Sequence, residues 1–261
     1  MSEAMQPLLD REALAKVLGL SPKTVKLKVL DLFSGIGGFS LGLERTDGFE
    51  TVAFCEIDPF CRRVLAKHWP DVPIIPDVSA EEFPAADVIT AGFPCQDISD
   101  AGLRAGITGA RSWLWRHVVR AVCLVRPKFA ILENVAALLH RGMGVVLRDL
   151  AAAGYDAEWD CVPASRIGAP HKRDRVWIVA YPAQIRRGQV QFDEFGAQAQ
   201  AAGFFAGVGA EEVREWPSDA VVCRASDGVP DRPHAVGALG NAVVPQIPEL
   251  IGRAILEARH D

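Results

Sequence analysis

Short apolar runs alternate with helical stretches along most of the chain. Six runs rich in β-branched and aromatic residues predict strands, at residues 28–33, 51–56, 87–92, 129–134, 155–162 and 175–182. Apolar residues at helical spacing predict helices near 36–46, 59–68, 112–126 and 143–153, and a last helix within 245–260. Such alternation favours right-handed crossovers, so we expect an α/β, Rossmann-like fold with a mostly parallel sheet and helices on both faces.

Composition divides the chain into three parts. Residues 28–182 and 232–261 carry the alternating pattern and are expected to form one domain. Between them, residues 183–231 are acidic and lack clear periodicity, which predicts a small inserted lobe. Residues 1–27 form a leader, in which the segment 11–26 has the turn cadence of a helix-turn-helix fragment. An amphipathic leader helix is the preferred interpretation of that segment.

The overall composition excludes several classes of protein. The chain has 261 residues, 49% of them hydrophobic and 23% charged, which is typical of globular rather than disordered proteins. No apolar run approaches the ~18 residues of a membrane span, and the charged start does not resemble a signal peptide. The six cysteines show no paired CxxC spacing. We therefore expect reduced thiols in a cytoplasmic protein, and no metal site.

Charge is unevenly distributed along the chain. The net charge of −5, taken alone, argues against nucleic acid as the main partner. However, residues 111–148 contain seven lysines and arginines against the single acid Glu133, and residues 161–187 contain six against Asp174. These two basic segments could line a single cleft for a polyanion, and solvated helix faces are the alternative.

Polar features follow three successive strands at one predicted sheet edge. The segment DLFSGIGGF (31–39) contains a glycine turn that opens a helix, which brings bare backbone amides against a ligand. Its GxGG spacing lacks the third glycine of the dinucleotide fingerprint, so a nicotinamide cofactor is disfavoured. Glu56 could accept both hydroxyls of an adenosine ribose, and Asp77, after a third short strand, could accept from an adenine amino group. Together they predict an adenosine ligand across the carboxyl ends of the strands.

Two further residues stand out at the same edge. Cys95 lies in GFPCQDIS (92–99), on a loop framed by glycine and proline directly after the fourth strand. Cys55 and Cys123 are interpreted instead as structural cysteines, the usual role of this residue type. Glu133 follows the apolar run FAIL, where an acid is costly unless it has a partner.

Two short motifs complete the pattern. In APHKRDRVWIVA, Arg173 and Arg175 precede a strand and lie two residues apart, so we expect them to share one face, aimed at one target. In LGNAVVP (239–245), Gly240 and Asn241 are expected to form a turn before the last helix.

These motifs, in this order, resemble those of the DNA (cytosine-5-)-methyltransferases, which methylate carbon 5 of cytosine with S-adenosylmethionine. The resemblance covers about residues 29–180 and 232–256. DLFSGIGGF is similar to the family's methyl-donor loop, GFPCQ to its nucleophile loop, ENV to the segment that holds its acid, and GNAVVPQ to its closing motif. The resemblance implies the class I S-adenosylmethionine-dependent methyltransferase fold, with residues 183–231 as a short target-recognition lobe.

The resemblance also implies a set of site residues. Cys95 would be the nucleophile, Glu133 the group on N3 of the base, and Arg173 and Arg175 the supports for O2 and for the acid. Eleven residues would hold the cofactor: Phe33, Gly35, Ile36, Gly37, Glu56, Ile57, Asp77, Pro94, Leu114, Asn241 and Ala242. Contacts to double-stranded DNA would come from Gln96, Ser99, Arg111 and Arg166.

The implied reaction suits these residue types. A thiolate that adds to carbon 6 of cytosine makes carbon 5 nucleophilic, provided that N3 is protonated or strongly hydrogen-bonded as charge develops. Cys95 and Glu133 would supply these two functions, and the cytosine would be flipped out of the duplex to reach them. We expect a monomer from a bacterium or a phage, in a restriction-modification, phage or orphan modification context; a cognate restriction endonuclease would be its partner in the first of these.

Two features depart from the family, and three alternatives stay open. His171 stands in HKRDR where the family more often has Gln, and the lobe at 183–231 is short and acidic, so the basic segments would supply the charge for DNA. A tRNA cytosine-5 methyltransferase would share the catalytic motifs, and they do not separate it from a DNA enzyme. The intact Cys–Glu–Arg set argues against an idle regulator that binds DNA or S-adenosylmethionine, and the GxGG turn argues against a nicotinamide oxidoreductase.

Overall fold

A seven-stranded mixed sheet forms the centre of the molecule. The computed structural model describes residues 25–94, 113–169, 173–183 and 232–257. The strands are β1 (Leu27–Leu32), β2 (Phe49–Cys55), β3 (Ile74–Ile75), β4 (Val88–Gly92), β5 (Phe129–Val135), β6 (Tyr155–Pro163) and β7 (Asp174–Pro182). Their spatial order is β3-β2-β1-β4-β5-β7-β6, with β1 to β5 parallel and β7 antiparallel to both β5 and β6. The six strands predicted from apolar runs and the mostly parallel sheet are confirmed.

Helices connect and cover the strands. They are α1 (Gly38–Glu44), α2 (Pro59–His68), α3 (Trp113–Val125), α4 (Leu138–Arg141), α5 (Met143–Ala152), α6 (Arg232–Asn241) and α7 (Gln246–Glu257), with a 3₁₀ turn at Ala164–Ile167. Within the described ranges, every helix is too short or too polar to cross a lipid bilayer.

Two details differ from the sequence predictions. Gly240 and Asn241 do not form a turn, because they are the last two residues of α6, and the connection to α7 begins at Ala242. The leader was predicted to reach residue 27, but β1 already begins at Leu27. Residues 1–24, and residues 184–231 of the predicted lobe, lie outside the described residues.

The sheet is buried on both faces. In β5, Ala130 and Leu132 pack into one core cluster with α3 and α5, whereas Phe129 and Ile131 pack into a second cluster with α1 and α7. A strand buried on both faces is apolar at successive positions, which is why these runs were visible in the sequence.

Glycines let α1 and α7 approach each other closely. A Cβ on Gly42 would collide with the carbonyl oxygen of Pro245, and one on Gly38 would lie 2.5 Å from the carbonyl oxygen of Val243. From the other side, a Cβ on Gly252 would lie 3.0 Å from Leu43. The chain end is therefore packed directly against the first helix of the sheet.

Two cations of the basic segments, Lys128 and Arg175, lie at opposite ends of the sheet. Lys128 pairs with Asp87 at 2.9 Å, at the amino ends of β4 and β5, whereas Arg175 lies opposite Val135 at the carboxyl end of β5. In the first segment, Arg120 donates to the carbonyl of Ala80 at 2.6 Å. The expectation of a shared cleft is wrong for Lys128 and Arg175, because β7 runs antiparallel to β5 and its start therefore lies at the opposite end of the sheet from the start of β5.

Candidate active site

The loop between β1 and α1 has an unusual backbone. Phe33, Gly35 and Gly37 have positive φ angles of 53°, 54° and 87°. A Cβ on Gly37 would lie 2.7 Å from the ring of Trp69, whereas one on Gly35 would meet no atom within 4 Å. Glycine is thus required at 37 by packing, and at 35 the loop is open to a ligand at the carboxyl edge of the sheet.

Glu56 holds this loop to the end of β2. Its Oε2 accepts a hydrogen bond from the Gly35 amide at 2.7 Å, and its Oε1 accepts one from the Asp58 amide at 2.8 Å. Each carboxylate oxygen keeps a further lone pair that can accept from a ligand hydroxyl. The adjacent Ile57 is 71% exposed, so a large apolar side chain stands beside the carboxylate at the same edge.

Asp77 adds an acceptor at the end of β3. Its Oδ1 accepts from the Ser79 amide at 2.8 Å, and this bond, with the Ser79 hydroxyl and the nearby His117, holds the pKa of the carboxyl below its usual value. The Glu56 amide bonds to the Ile75 carbonyl at 3.0 Å, which keeps the ends of β2 and β3 together.

These strand ends fit the adenosyl part of S-adenosylmethionine. The Glu56 carboxylate can accept from ribose hydroxyls, the ionised Asp77 can accept from an amino group, and Ile57 offers an apolar surface for a ring. Leu114 and Phe33, which the resemblance also placed here, are half-buried and pack against the same core cluster. The open side of Gly35 leaves room for the ligand to approach.

The segment that follows α6 closes this edge from the other side. Val243 lies against Gly38 at the start of α1, next to the glycine loop. Before it, Asn241 is exposed and Ala242 half-buried. The structure thus brings the predicted closing motif to the predicted donor loop, although the first residues of the motif are helical.

Glu133 lies at the carboxyl end of β5 and is paired with a cation. Its side chain is only 12% exposed, and its Oε1 lies 2.8 Å from Nε of Arg175, which is 24% exposed. Arg175 lies opposite Val135 in the β5–β7 ladder, so Glu133 is its diagonal neighbour on the same face. Burial raises the pKa of the Glu133 carboxyl above its ordinary value, and the charges of Arg175 and Arg173 oppose that rise.

Asn134 is a site residue that the sequence reasoning missed. Its side chain is buried, and its Nδ2 donates to the carbonyl of Phe93 at 3.1 Å. Gly92 pairs with Glu133 in the β4–β5 ladder, and Pro94, exposed, is the last described residue before Cys95. Asn134 therefore fixes the start of the predicted nucleophile loop beside the acid. The available signal in the sequence was that a second polar residue follows the acid directly after the apolar run FAIL.

Asp31 is a second missed residue. It is fully buried in β1, and it accepts from the Ser40 hydroxyl of α1 at 2.9 Å and from the Thr90 hydroxyl of β4 at 2.7 Å. Burial raises the pKa of its carboxyl to about 7. The carboxyl joins two strands and a helix directly beneath the glycine loop.

Arg173 is not placed by strand alternation. It precedes β7 and has a φ of 37°, so the prediction that it shares a strand face with Arg175 rests on a geometry that this backbone does not have. Its Nη1 donates to the Gly240 carbonyl at 2.8 Å. Burial, and the charge of Arg175, lower the pKa of its guanidinium, whereas Glu133 raises it. Both arginines are therefore near the acid: Arg175 bonds to it directly, whereas Arg173 is bonded to Gly240 and interacts with the acid electrostatically.

Comparison with known proteins identifies the family. The model of the C-5 cytosine-specific DNA methylase family matches residues 27–201, which is more than half of the chain. The chain belongs to this family. The resemblance drawn from the sequence motifs is thereby confirmed.

Relatives of this C-5 cytosine methylase include two bacterial proteins. The chain is 39% identical over 163 residues to the Type II methyltransferase M2.BsuMI of Bacillus subtilis (strain 168), covering 59% of this chain and 42% of that protein. It is 33% identical over 165 residues to the Type II methyltransferase M1.ScrFI of Lactococcus lactis subsp. cremoris, covering 61% and 42%. The methylase chain spans less than half of the length of these relatives.

A solved structure shares the fold of this methylase. A mutant of DNMT2 from Spodoptera frugiperda matches with a TM-score of 0.51 at 20% identity, covering 60% of this chain and 50% of that one. The predicted fold class, that of class I S-adenosylmethionine-dependent methyltransferases, is confirmed.

The remaining predicted site residues of the methylase fall into two groups. Arg166 is on the 3₁₀ turn after β6, 44% exposed, with its Nη1 3.5 Å from the Asp160 carboxylate. Its strand end pairs with Asp174, so it lies at the same end of the sheet as Arg175. Cys95, Gln96, Ser99, Arg111 and His171 lie outside the described residues.

Proposed function

We propose that this chain is a DNA (cytosine-5-)-methyltransferase that acts on a cytosine flipped out of double-stranded DNA. Cys95 would add to carbon 6 of the base, and Glu133 would act on N3. One observation carries the proposal: Glu133, whose carboxyl is bonded to Arg175, lies beside Gly92 in the β4–β5 ladder, where the chain continues toward Cys95, at the same sheet edge as the glycine loop.

The environment of Glu133 suits a carboxyl that supplies a proton. Burial favours its neutral form, so the carboxyl stays protonated to a higher pH than an ordinary glutamic acid. The bond from Arg175 fixes one oxygen, Oε1, while Oε2 points toward the end of β4, 3.5 Å from the Cβ position of Gly92. A positioned acid of this kind stabilises the charge that develops on a pyrimidine ring after thiolate addition.

S-adenosylmethionine is the proposed methyl donor. When bound, it supplies a methyl group that is electrophilic because it is attached to a sulfonium. The residues that would hold it are those at the strand ends and the closing segment: Phe33, Gly35, Ile36, Gly37, Glu56, Ile57, Asp77, Pro94, Leu114, Asn241 and Ala242. Glu56 and Asp77 would select the adenosine, and the backbone of the glycine loop would approach the ligand at Gly35.

The rest of the protein would bring the DNA to this site. We propose that residues 183–231 recognise the target sequence, and that Arg166, with Gln96, Ser99 and Arg111, contacts the duplex. Arg166 is exposed at the sheet end that holds Glu133, where a phosphate contact is possible. The relatives named Type II methyltransferases support a restriction-modification context. We further propose a cytoplasmic monomer with a companion restriction endonuclease.

A labelling experiment tests the proposal. The chain is incubated with S-adenosylmethionine that carries a labelled methyl group, together with duplex DNA or tRNA. Label on carbon 5 of cytosine in the duplex is the expected result. Label on tRNA alone would overturn the choice of substrate in favour of a tRNA cytosine-5 methyltransferase, and no label on either would overturn the proposed activity.

A trapping experiment tests the role of Cys95. A duplex with 5-fluorocytosine at the target should form a covalent adduct with the chain, because fluorine cannot leave as a proton does. Cys95→Ser should form no adduct and should still bind S-adenosylhomocysteine. Cys123→Ser is the matched control and should trap DNA like the wild type, because Cys123 is exposed on α3 and is not the buried structural cysteine that we expected from the sequence. An adduct in Cys95→Ser would exclude this thiol as the nucleophile.

A further inference from the structure

Arg173 makes a bond that the reaction itself does not require. Its Nη1 donates to the carbonyl of Gly240 at 2.8 Å, across 67 residues of sequence. Gly240 is in the last turn of α6, where helix carbonyls have no partner within the helix and where the helix dipole favours a cation. The guanidinium of Arg173 therefore donates to a carbonyl at the end of a helix and does not extend freely toward the base.

The backbone of Arg173 has an unusual conformation. A φ of 37° is rare and strained for a residue with a side chain, and the next residue, Asp174, is already in β7. Such strain persists only where surrounding contacts maintain it. The contacts seen at Arg173 are the hydrogen bond from the Ala164 amide to its carbonyl at 3.3 Å, the bond of its guanidinium to Gly240, and the electrostatic attraction of the guanidinium to Glu133.

The chain that leaves α6 touches both halves of the site. The carbonyl of Val243 lies 2.5 Å from the Cβ position of Gly38, at the glycine loop. The side chain of Val243 lies 3.7 Å from the Cβ position of Gly92, and the Oε2 of Glu133 lies 3.5 Å from that same position. The segment after Gly240 thus runs from the donor loop to the acid.

We propose that Arg173 is a positioning residue that couples the methyl-donor pocket to the acid by tying the end of α6 to the start of β7. A donor bound against the glycine loop and the segment 242–245 would stabilise this segment. Because Arg173 is bonded to Gly240 just before the segment, the position of Arg173 would be stabilised as well, and with it the position of Glu133 beside the base. The inference rests on the proposed function and assigns Arg173 a role distinct from that of Arg175, which contacts the acid directly.

Binding linkage tests the coupling. The affinity of the chain for a duplex that the wild type methylates is measured with and without saturating S-adenosylhomocysteine, which cannot react. In the wild type we expect the donor analogue to tighten DNA binding by about 5-fold or more. In Arg173→Met the ratio of the two affinities should fall to roughly 1, because the link is lost. If Arg173 served only to stabilise the fold, its replacement would weaken DNA binding equally with and without S-adenosylhomocysteine, and the ratio of the two affinities would stay unchanged.

Two further variants make the result decisive. Arg173→Lys keeps a cation that can donate to the Gly240 carbonyl, and it should retain part of the ratio even where Arg173→Met is too unstable to measure. Arg253→Met removes an exposed arginine of α7, outside the two basic segments, that pairs with Glu249, and its ratio should equal that of the wild type. Wild-type coupling in both Arg173 variants, or no coupling in the wild type, would overturn the inference. Failure of the wild type to methylate any duplex would instead overturn the proposed function on which it rests.

Discussion

Replacing Glu133 by glutamine removes the proton that the proposed acid supplies while it keeps the size of the side chain. Glutamine can still donate from its amide, and it can still accept from Arg175 with its carbonyl oxygen. It cannot transfer a proton to N3. The substitution therefore separates proton transfer from hydrogen bonding in a side chain that is only 12% exposed.

The magnitude follows from what such an acid contributes. General acid–base catalysis supplies typically 10²- to 10⁴-fold in rate, which corresponds to about 3–5 kcal/mol of transition-state stabilisation. We expect Glu133→Gln to lose about 10²-fold or more in single-turnover methylation, and Glu133→Ala to lose several orders of magnitude, because Ala also leaves the Arg175 guanidinium without its partner. Binding of S-adenosylhomocysteine should change little, since Glu133 is outside the proposed donor contacts.

The pH dependence gives a second measurement of the same group. Burial raises the pKa of Glu133, and Arg175 lowers it by charge and by its hydrogen bond. Arg175→Met removes these two lowering effects and leaves only that of Arg173, so the carboxyl should remain protonated to a higher pH. The limb of the rate profile that falls as the acid ionises should therefore move to higher pH in Arg175→Met.

The assay is rapid-quench single turnover with labelled donor, recorded from pH 5 to 9. Glu158→Gln serves as the control, because Glu158 is a carboxylate of β6 that is bonded to the Tyr181 hydroxyl, away from the β4–β5 strand ends. The reasoning is refuted by near-normal turnover in Glu133→Gln, or by a limb that moves to lower pH in Arg175→Met.

Three other perturbations test separate parts of the structure. Asp31 has a raised pKa, about 7 in the folded chain, so its ionisation destabilises the fold as pH rises from about 4 to 7, by at most on the order of 4 kcal/mol. In thermal melts, Asp31→Asn should reduce this loss of stability, and an unchanged pH profile would contradict the assignment. Asn134→Ala should lower the 5-fluorocytosine trapping rate by about 10-fold, because the Phe93 carbonyl loses its donor, while donor affinity is kept; equal trapping would exclude this positioning role. Deletion of residues 188–215 should leave a steep fall of DNA affinity with salt, since basic residues outside the lobe would contact the phosphates, and a slope abolished by the deletion would show the opposite.

Elements buried on two faces were the most predictable part of the fold. The apolar run before Glu133 has no polar residue because both faces of the strand lie in the core. The acid that ends this run was itself the signal for a site. The glycine turn and Glu56 were also visible, since chain order alone places the ends of parallel strands at one edge.

Features set by long-range contacts could not be predicted. The sequence of α6, RPHAVGALGN, mixes apolar and polar residues around the helix, so it shows no helical period. The role of Asp31 depends on a hydrogen bond from Thr90, 59 residues away, and the role of Asn134 depends on its hydrogen bond to Phe93, 41 residues away. Arg173 bonds to Gly240, 67 residues away, which nothing in the local pattern indicates.

The glycine contacts between α1 and α7 have a consequence for biosynthesis. One side of the proposed donor site comes from the glycine loop after β1, and the other from Val243, some 200 residues later, which packs against Gly38. A nascent chain on the ribosome can pair β1 with β2 early, yet it has no second side until the segment 242–257 has been translated. Ligand affinity should thus arise late and abruptly, as α7 docks.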